Sequence, residues 1–196
     1  MSRILVAGIS EIDLSSFNNP ADKLIEEVCV MSYLNKPNGC LWGSTMTPNA
    51  EFLSDWVRWV WQEDFHIGKY KKGISFTLKK KSRICTIDTP EDYKNMMKTY
   101  SKLMYTEEEY RNSSVNRRII DFKKLANDYD AFHLTESAFW EMRFPLFRRG
   151  DWYRDEEGIE FGDFYSYDCE TWILFNLDCI NKGSILNHTI SMNDTI

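Results

Sequence analysis

The chain lacks the short patterns that mark the commonest chemical sites. It has no C-x-x-C pair, so neither a zinc cage nor a thioredoxin-like site is expected. Its three histidines, His66, His133 and His188, are never four residues apart and have no neighbouring cysteine. That spacing offers no metal centre. The G-x-x-x-x-G-K-[ST], G-x-G-x-x-G and G-x-S-x-G patterns are absent, which argues against Walker-type and Rossmann phosphate sites and against a hydrolase elbow. No window holds about 18 uncharged apolar residues, so no membrane-spanning helix is expected. No basic region precedes an apolar run at the start, so a secretory signal is not expected. The five cysteines, Cys29, Cys40, Cys85, Cys169 and Cys179, are odd in number and widely spaced. They suggest no disulfide framework but a reducing, cytoplasmic setting, with Cys29, Cys85 and Cys179 as unpaired thiols in apolar stretches. Positive charge is short too. A net charge of −6 argues against bulk binding to nucleic-acid phosphates, although it leaves room for a local basic groove or for a partner with a basic surface.

What is present is core-forming material. In 196 residues, 43% are hydrophobic and 15% aromatic, enough for one folded domain. We expect that domain over 1–183, followed by a loose polar tail over 184–196. Short apolar or β-branched runs predict strands over 4–9, 28–33, 40–45, 74–78, 83–87, 129–134 and 171–177. Phe52, Trp56, Trp59 and Val60 recur at helical spacing, predicting a helix that opens at Thr47-Pro48 and ends before Gly68, ahead of a basic turn over 69–72. Thr89-Pro90-Glu91-Asp92 is a strong helix start. Behind it Tyr93, Met96, Met97, Tyr100, Leu103 and Met104 form an apolar stripe expected to be core. Asp121 is expected to cap a short helix through Asn127. The segment 106–118 reads as an exposed loop, 138–147 is aromatic without a clear period, and 148–163 is a charged loop. The mixture of strands and helices predicts an α+β domain.

Two segments carry candidate chemistry. Asp168-Cys169-Glu170 precedes the apolar run at 171. If both acids lie on a strand they share a face, where one carboxylate can stabilise positive charge developing on a sugar. The alternative is a solvated strand start. Trp42-Gly43-Ser44-Thr45 sets a ring, a glycine and two hydroxyls in line, suited to stacking on a flat ligand and fixing it. The alternative is a buried Trp before a Ser/Thr turn.

Lys36-Pro37-Asn38-Gly39-Cys40-Leu41-Trp42-Gly43-Ser44 resembles the K-P-x-G-G-L-W-x-S segment of a family of small bacterial and phage proteins that are similar to the ADP-ribosyltransferase fold. Trp56 and Trp59 with Glu63 and Phe65 resemble the W-x-x-W and acidic–aromatic continuation of that family. Ile120-Asp121-Phe122 through Tyr129-Asp130 resembles its I-D-W/F … Y-D-G segment, and Tyr167-Asp168-Cys169-Glu170-Thr171 its W-D-x-E-S stretch. The four segments run in order across nearly the whole chain. The resemblance implies a mixed, split β-sheet with flanking helices that grips NAD, as substrate, in a central cleft. It implies Glu170 as the carboxylate at the nicotinamide ribose and Asp168 as an accessory acid. It also implies Trp42, Gly43, Ser44 and Thr45 as the NAD-binding strand, with Tyr33 and Lys36 standing in for the His or Arg that such enzymes carry on their first strand. Here Val6-Ala7-Gly8 occupies that place, and Arg3 is its one basic candidate. The loop with Arg148, Arg149, Trp152 and Tyr153 would select the acceptor.

Two functions compete on these terms. One is an ADP-ribosyltransferase, phage- or toxin-encoded, acting on a macromolecular acceptor. The other is an inactive relative that inhibits a host defence factor through the acidic, aromatic surface around Trp152, Tyr153, Phe161 and Phe164.

Overall fold

The computed structural model describes residues 2–12, 36–37, 40–48, 51–104, 117–143, 153–162, 164 and 166–191. The expected strand at 28–33, Cys29, the loop at 106–116 and the aromatic stretch at 144–147 fall outside them.

Among the described residues, nine strands and four helices follow one another as β1 (Ile4–Ala7), β2 (Leu41–Thr45), α1 (Asp55–Gln62), β3 (Lys72–Phe76), β4 (Ile84–Ile87), α2 (Pro90–Tyr100), β5 (Ser101–Leu103), β6 (Arg118–Ile120), α3 (Phe122–Asp128), β7 (Ala131–Leu134), α4 (Glu136–Met142), β8 (Thr171–Leu174) and β9 (Leu186–Thr189). Seven strands form one mixed sheet in the order β4-β7-β8-β2-β1-β3-β9, while β5 and β6 pair separately. β4 and β7 run parallel. The other neighbours in the large sheet are antiparallel. The protein is α+β, with β2 at the centre of its sheet.

Side chains alternate along a strand, so each face of this sheet has its own core. One holds Phe132, Leu134 and Ile173 of β7 and β8 with Tyr93, Met96 and Met97 of α2, Phe122 and Leu125 of α3, and Ala138, Phe139 and Met142 of α4. On the same face Leu5 of β1 meets Val57 of α1. Helices therefore cover this side in two groups, α1 over β1 and the other three over β7 and β8. The opposite face buries Ile4, Val6, Ile74, Phe76, Trp172 and Leu174 under Leu78, Leu177, Cys179 and Ile180.

Local chemistry accounts for the helix starts. Thr89 and Asp92 form a reciprocal capping box with Pro90 in the first turn of α2. The stripe Tyr93, Met96 and Met97 is buried as its spacing requires, and Tyr100 is half-buried. The stripe ends at Tyr100; Leu103 belongs to β5 and is exposed. Asp121 caps α3, and Thr135 caps α4 at the edge of the aromatic stretch that had no clear period.

Several boundaries differ from expectation. The first helix begins at Asp55, not at Thr47, because Ser54 supplies the capping hydroxyl for the Val57 N–H. The Thr47 N–H instead donates to Leu53 O at 2.8 Å. The basic turn is a short 3-10 helix over Ile67–Tyr70, and Lys72 opens β3. β3 and β4 are consecutive but lie in opposite halves of the sheet. The segment 171–177 does not hold the last described strand, and among the described residues after 183 Leu186–Thr189 form a strand, β9. β9 pairs along β3 through Lys72↔Thr189 to Ser75↔Leu186, and Ile190 is buried behind it.

Candidate active site

Beside α1, along β1 and β2 and at the start of β8, lies a cavity of about 330 Å³ lined by Leu5, Ala7, Lys36, Trp42, Gly43, Trp56, Tyr70, Tyr167, Asp168, Cys169, Glu170 and Thr171. Segments more than a hundred residues apart in sequence thus share one wall. β2 supplies Trp42 and Gly43 because its antiparallel register sets Gly43 opposite Trp172 and Trp42 opposite Ile173. Continuing that register by two residues sets Thr45 opposite Glu170.

Inside the cavity the Lys36 ammonium lies 5.8 Å from the centre of the Trp42 ring and 5.4 Å from that of Tyr167. The two rings are 5.7 Å apart. Asp168 Oδ2 is 3.8 Å from Lys36 Nζ. Burial pushes Asp168 up and Lys36 down from their ordinary values, outweighing the attraction between them. Each is thereby drawn toward its neutral form. Burial, followed by the neighbouring charge of Glu170, drives the Cys169 thiol well above the usual range and favours its protonated form.

Glu170 is 5% exposed, and its carboxylate has three donors. The Thr45 N–H donates to Oε2 at 2.7 Å, the Thr45 hydroxyl to Oε1 at 2.7 Å, and His133 Nε2 to Oε1 at 2.6 Å. Trp172 Nε1 in turn donates to the Thr45 hydroxyl at 2.9 Å, and the His133 and Trp172 rings stack at 3.9 Å with 12° between their planes. The carboxylate is thus held at the end of the β2–β8 ladder in a fixed position.

A second cavity, of about 150 Å³, opens between α1 and α4, where Asp55, Arg58, Trp59, Glu136 and Trp140 face the same Asp168, Cys169 and Glu170. Arg58 bridges Asp55 at 2.8 Å and Glu136 at 3.4 Å across its mouth. The segment 168–170 therefore divides two cavities.

Of the residues singled out from sequence, Lys36, Trp42, Gly43, Asp168 and Glu170 come together. Ser44 does not line the cavity; it is 1% exposed and its hydroxyl accepts from the Trp56 N–H at 3.4 Å. Thr45 holds Glu170 and takes no place in the wall. The two acids do not share a strand face either. β8 begins at Thr171, so both precede it, and they turn to different partners, Asp168 to Lys36 and Glu170 to Thr45 and His133. Tyr33, Arg148, Arg149 and Trp152 lie outside the described residues. Tyr153 is half-buried, with the Arg154 guanidinium 5.1 Å from its ring. Arg3, the basic candidate of the first strand, is not at the cavity. Its guanidinium donates to Ser75 Oγ at 3.1 Å and to Ser184 O.

His133, Trp172, Tyr167, Trp56 and Tyr70 were not legible as site residues. His133 reads as an ordinary strand histidine until the register with β8 sets it opposite Trp172. Trp56 reads as one member of an apolar helical face. No motif marks a cross-strand neighbour. No described group of His, Cys, Asp and Glu could hold a metal ion, and no described helix is long and apolar enough to cross a membrane. Neither a protein-family model, nor a curated protein, nor a solved structure matches the chain.

Proposed function

We propose that this protein is an ADP-ribosyltransferase that takes NAD into the cavity under β2 and transfers ADP-ribose to an acceptor. The observation that carries the reading is the meeting of Trp42, Gly43, Lys36, Asp168 and Glu170 on one cavity wall, since these residues come from the two segments that resemble the halves of an NAD cleft. In this reading the flat nicotinamide stacks among Trp42 and Tyr167. The bond from the pyridinium nitrogen to ribose C1′ breaks, its electron pair leaves with neutral nicotinamide, and C1′ becomes cationic. Glu170 supports that cation, being a carboxylate already fixed by Thr45 and His133. The acceptor atom then bonds to C1′ and releases its proton. The second cavity on the far side of 168–170 gives the acceptor an approach separate from that of NAD.

Glu170→Gln tests the role of charge. Nicotinamide release should fall about a hundred- to a thousand-fold, with NAD affinity changed much less. A carboxamide has one acceptor oxygen and must set its NH2 group against a donor in this network, so urea unfolding of the variant is measured alongside. Equal turnover by both proteins removes Glu170 from the mechanism.

One observation favours a second reading, an inactive interaction protein that blocks a host factor. Arg3 is engaged at Ser75 and Ser184, so β1 offers no basic residue to the ribose. A wild-type protein that neither binds NAD nor releases nicotinamide across a panel of acceptors selects this alternative.

A further inference from the structure

Next to the cavity lies a tier of aromatic rings in which Trp56, Trp59 and Tyr70 are half-buried and Phe65 is exposed. Trp56 and Trp59, one helical turn apart on α1, stack at 5.0 Å with 19° between their planes. Phe65, from the loop after α1, lies 6.4 Å from Trp56 and 5.2 Å from Trp59, yet remains 39% exposed. Tyr70 closes the group, 5.8 Å from Trp56 and 6.4 Å from Phe65, stacked on the latter at 27°. Asp64 and His66, the two residues flanking Phe65, both have φ of 49°. Two left-handed, non-glycine positions, one on each side of a single phenylalanine, hold that ring in place.

The tier is continuous with the cavity, because Trp56 and Tyr70 belong to both. Its margin is also a locally positive stretch of an acidic protein. Over 63–72 the exposed Glu63 and Asp64 are outnumbered by the exposed Lys69, Lys71 and Lys72, in a chain of net charge −6. An exposed ring such as Phe65, backed by half-buried Trp56 and Trp59 and set beside lysines, offers a face on which a base stacks while its phosphates meet the cations. Size points the same way. At about 330 Å³ the cavity is at the small end of ligand pockets and takes one base with its ribose, which leaves the second half of a dinucleotide outside.

We infer that the Trp56–Trp59–Phe65 tier is a stacking subsite for the adenine base of a nucleotide, with Lys69 and Lys71 facing the pyrophosphate. The inference rests on the dinucleotide reading of the cavity but turns on Trp59 and Phe65, which do not line it. It is tested with two half-ligands, ADP and nicotinamide mononucleotide, whose binding to the full chain is followed by calorimetry. Phe65→Ala should weaken ADP binding about ten-fold and leave nicotinamide mononucleotide unaffected. Phe65→Tyr should restore ADP binding, and Leu103→Ala, at an exposed apolar side chain of β5, should not alter it. The subsite is overturned if wild type does not bind ADP, or if Phe65→Ala and Phe65→Leu bind ADP as wild type does. It is also overturned if the tier instead seats a second copy, seen as concentration-dependent association that Phe65→Ala abolishes while ADP has no effect. Failure of nicotinamide mononucleotide alone to bind, with ADP binding still lost in Phe65→Ala, sinks the cavity assignment and leaves the tier standing.

Discussion

Thr45 connects the groups on which the proposed chemistry depends. Its hydroxyl accepts from Trp172 and donates to Glu170, and its backbone N–H reaches the other carboxylate oxygen. Removing the hydroxyl leaves the indole N–H and one carboxylate oxygen short of a partner in a half-buried place, which typically costs about 1–3 kcal/mol. Thr45→Val keeps the branched shape that suits β2, so a loss of that size in urea unfolding reports the network and not packing. Glu170 and Thr45 share a hydrogen bond, so their substitutions should not be additive. A double-mutant cycle with Glu170→Gln should show a coupling of roughly 0.5 kcal/mol or more, and strict additivity would dismiss the network as a unit.

At the scale of the element, β2 is shaped by one glycine. A Cβ built on Gly43 would come 2.7 Å from Ile4 Cγ2 and 2.9 Å from the Leu5 carbonyl oxygen. The second contact is with backbone of β1, the neighbouring strand, and cannot be relieved by a side-chain rotation. Gly43→Ala is therefore expected to push β1 and β2 apart, destabilising the protein by about 1–3 kcal/mol as overpacking does. The same shift would move Trp42 relative to Tyr167, so weaker binding of nicotinamide mononucleotide should accompany the lower urea midpoint. An unchanged midpoint would mean that the strands yield without strain. Gly68 contrasts with it, having no atom within 4 Å of its added Cβ, so Gly68→Ala serves as the control.

For the whole molecule the pairing of β9 with β3 is a test of what the sheet needs. β9 covers the outer edge of β3, and Ile190 packs with Leu5 and Val57. A chain cut after Gly183 would lose that pairing, expose the edge of β3 and remove Ser184, whose Oγ accepts from the Thr77 N–H at 2.8 Å and whose carbonyl accepts from Arg3. We expect the truncated protein to unfold at lower urea and to aggregate on concentration. Behaviour identical to the full chain would show that the sheet is complete without β9.

The starts of α2 and α3 were legible in the sequence because their causes are local. Thr89, Pro90 and Asp92 lie within four residues, and the Tyr93, Met96 and Met97 spacing repeats with the helical turn. The resemblance likewise brought Trp42, Asp168 and Glu170 forward as one site before any geometry was known. The β9 strand was hidden because Leu186–Thr189 is mostly polar and exposed; its pairing rests on backbone bonds to β3, which composition does not record. The partners of Glu170 were hidden for a related reason. Whether a carboxylate meets His133 and Thr45 depends on two strand registers, and a slip of one residue would send each side chain to the other face. The sequence by itself determined the α+β content, the starts of α2 and α3 and the buried Tyr93, Met96 and Met97 of α2, all set by interactions a few residues long. Only the tertiary structure decided which face of β2 looks into a cavity, where Arg3 goes and what holds Glu170, because those contacts form between residues brought together by sheet pairing across more than 30 positions of chain.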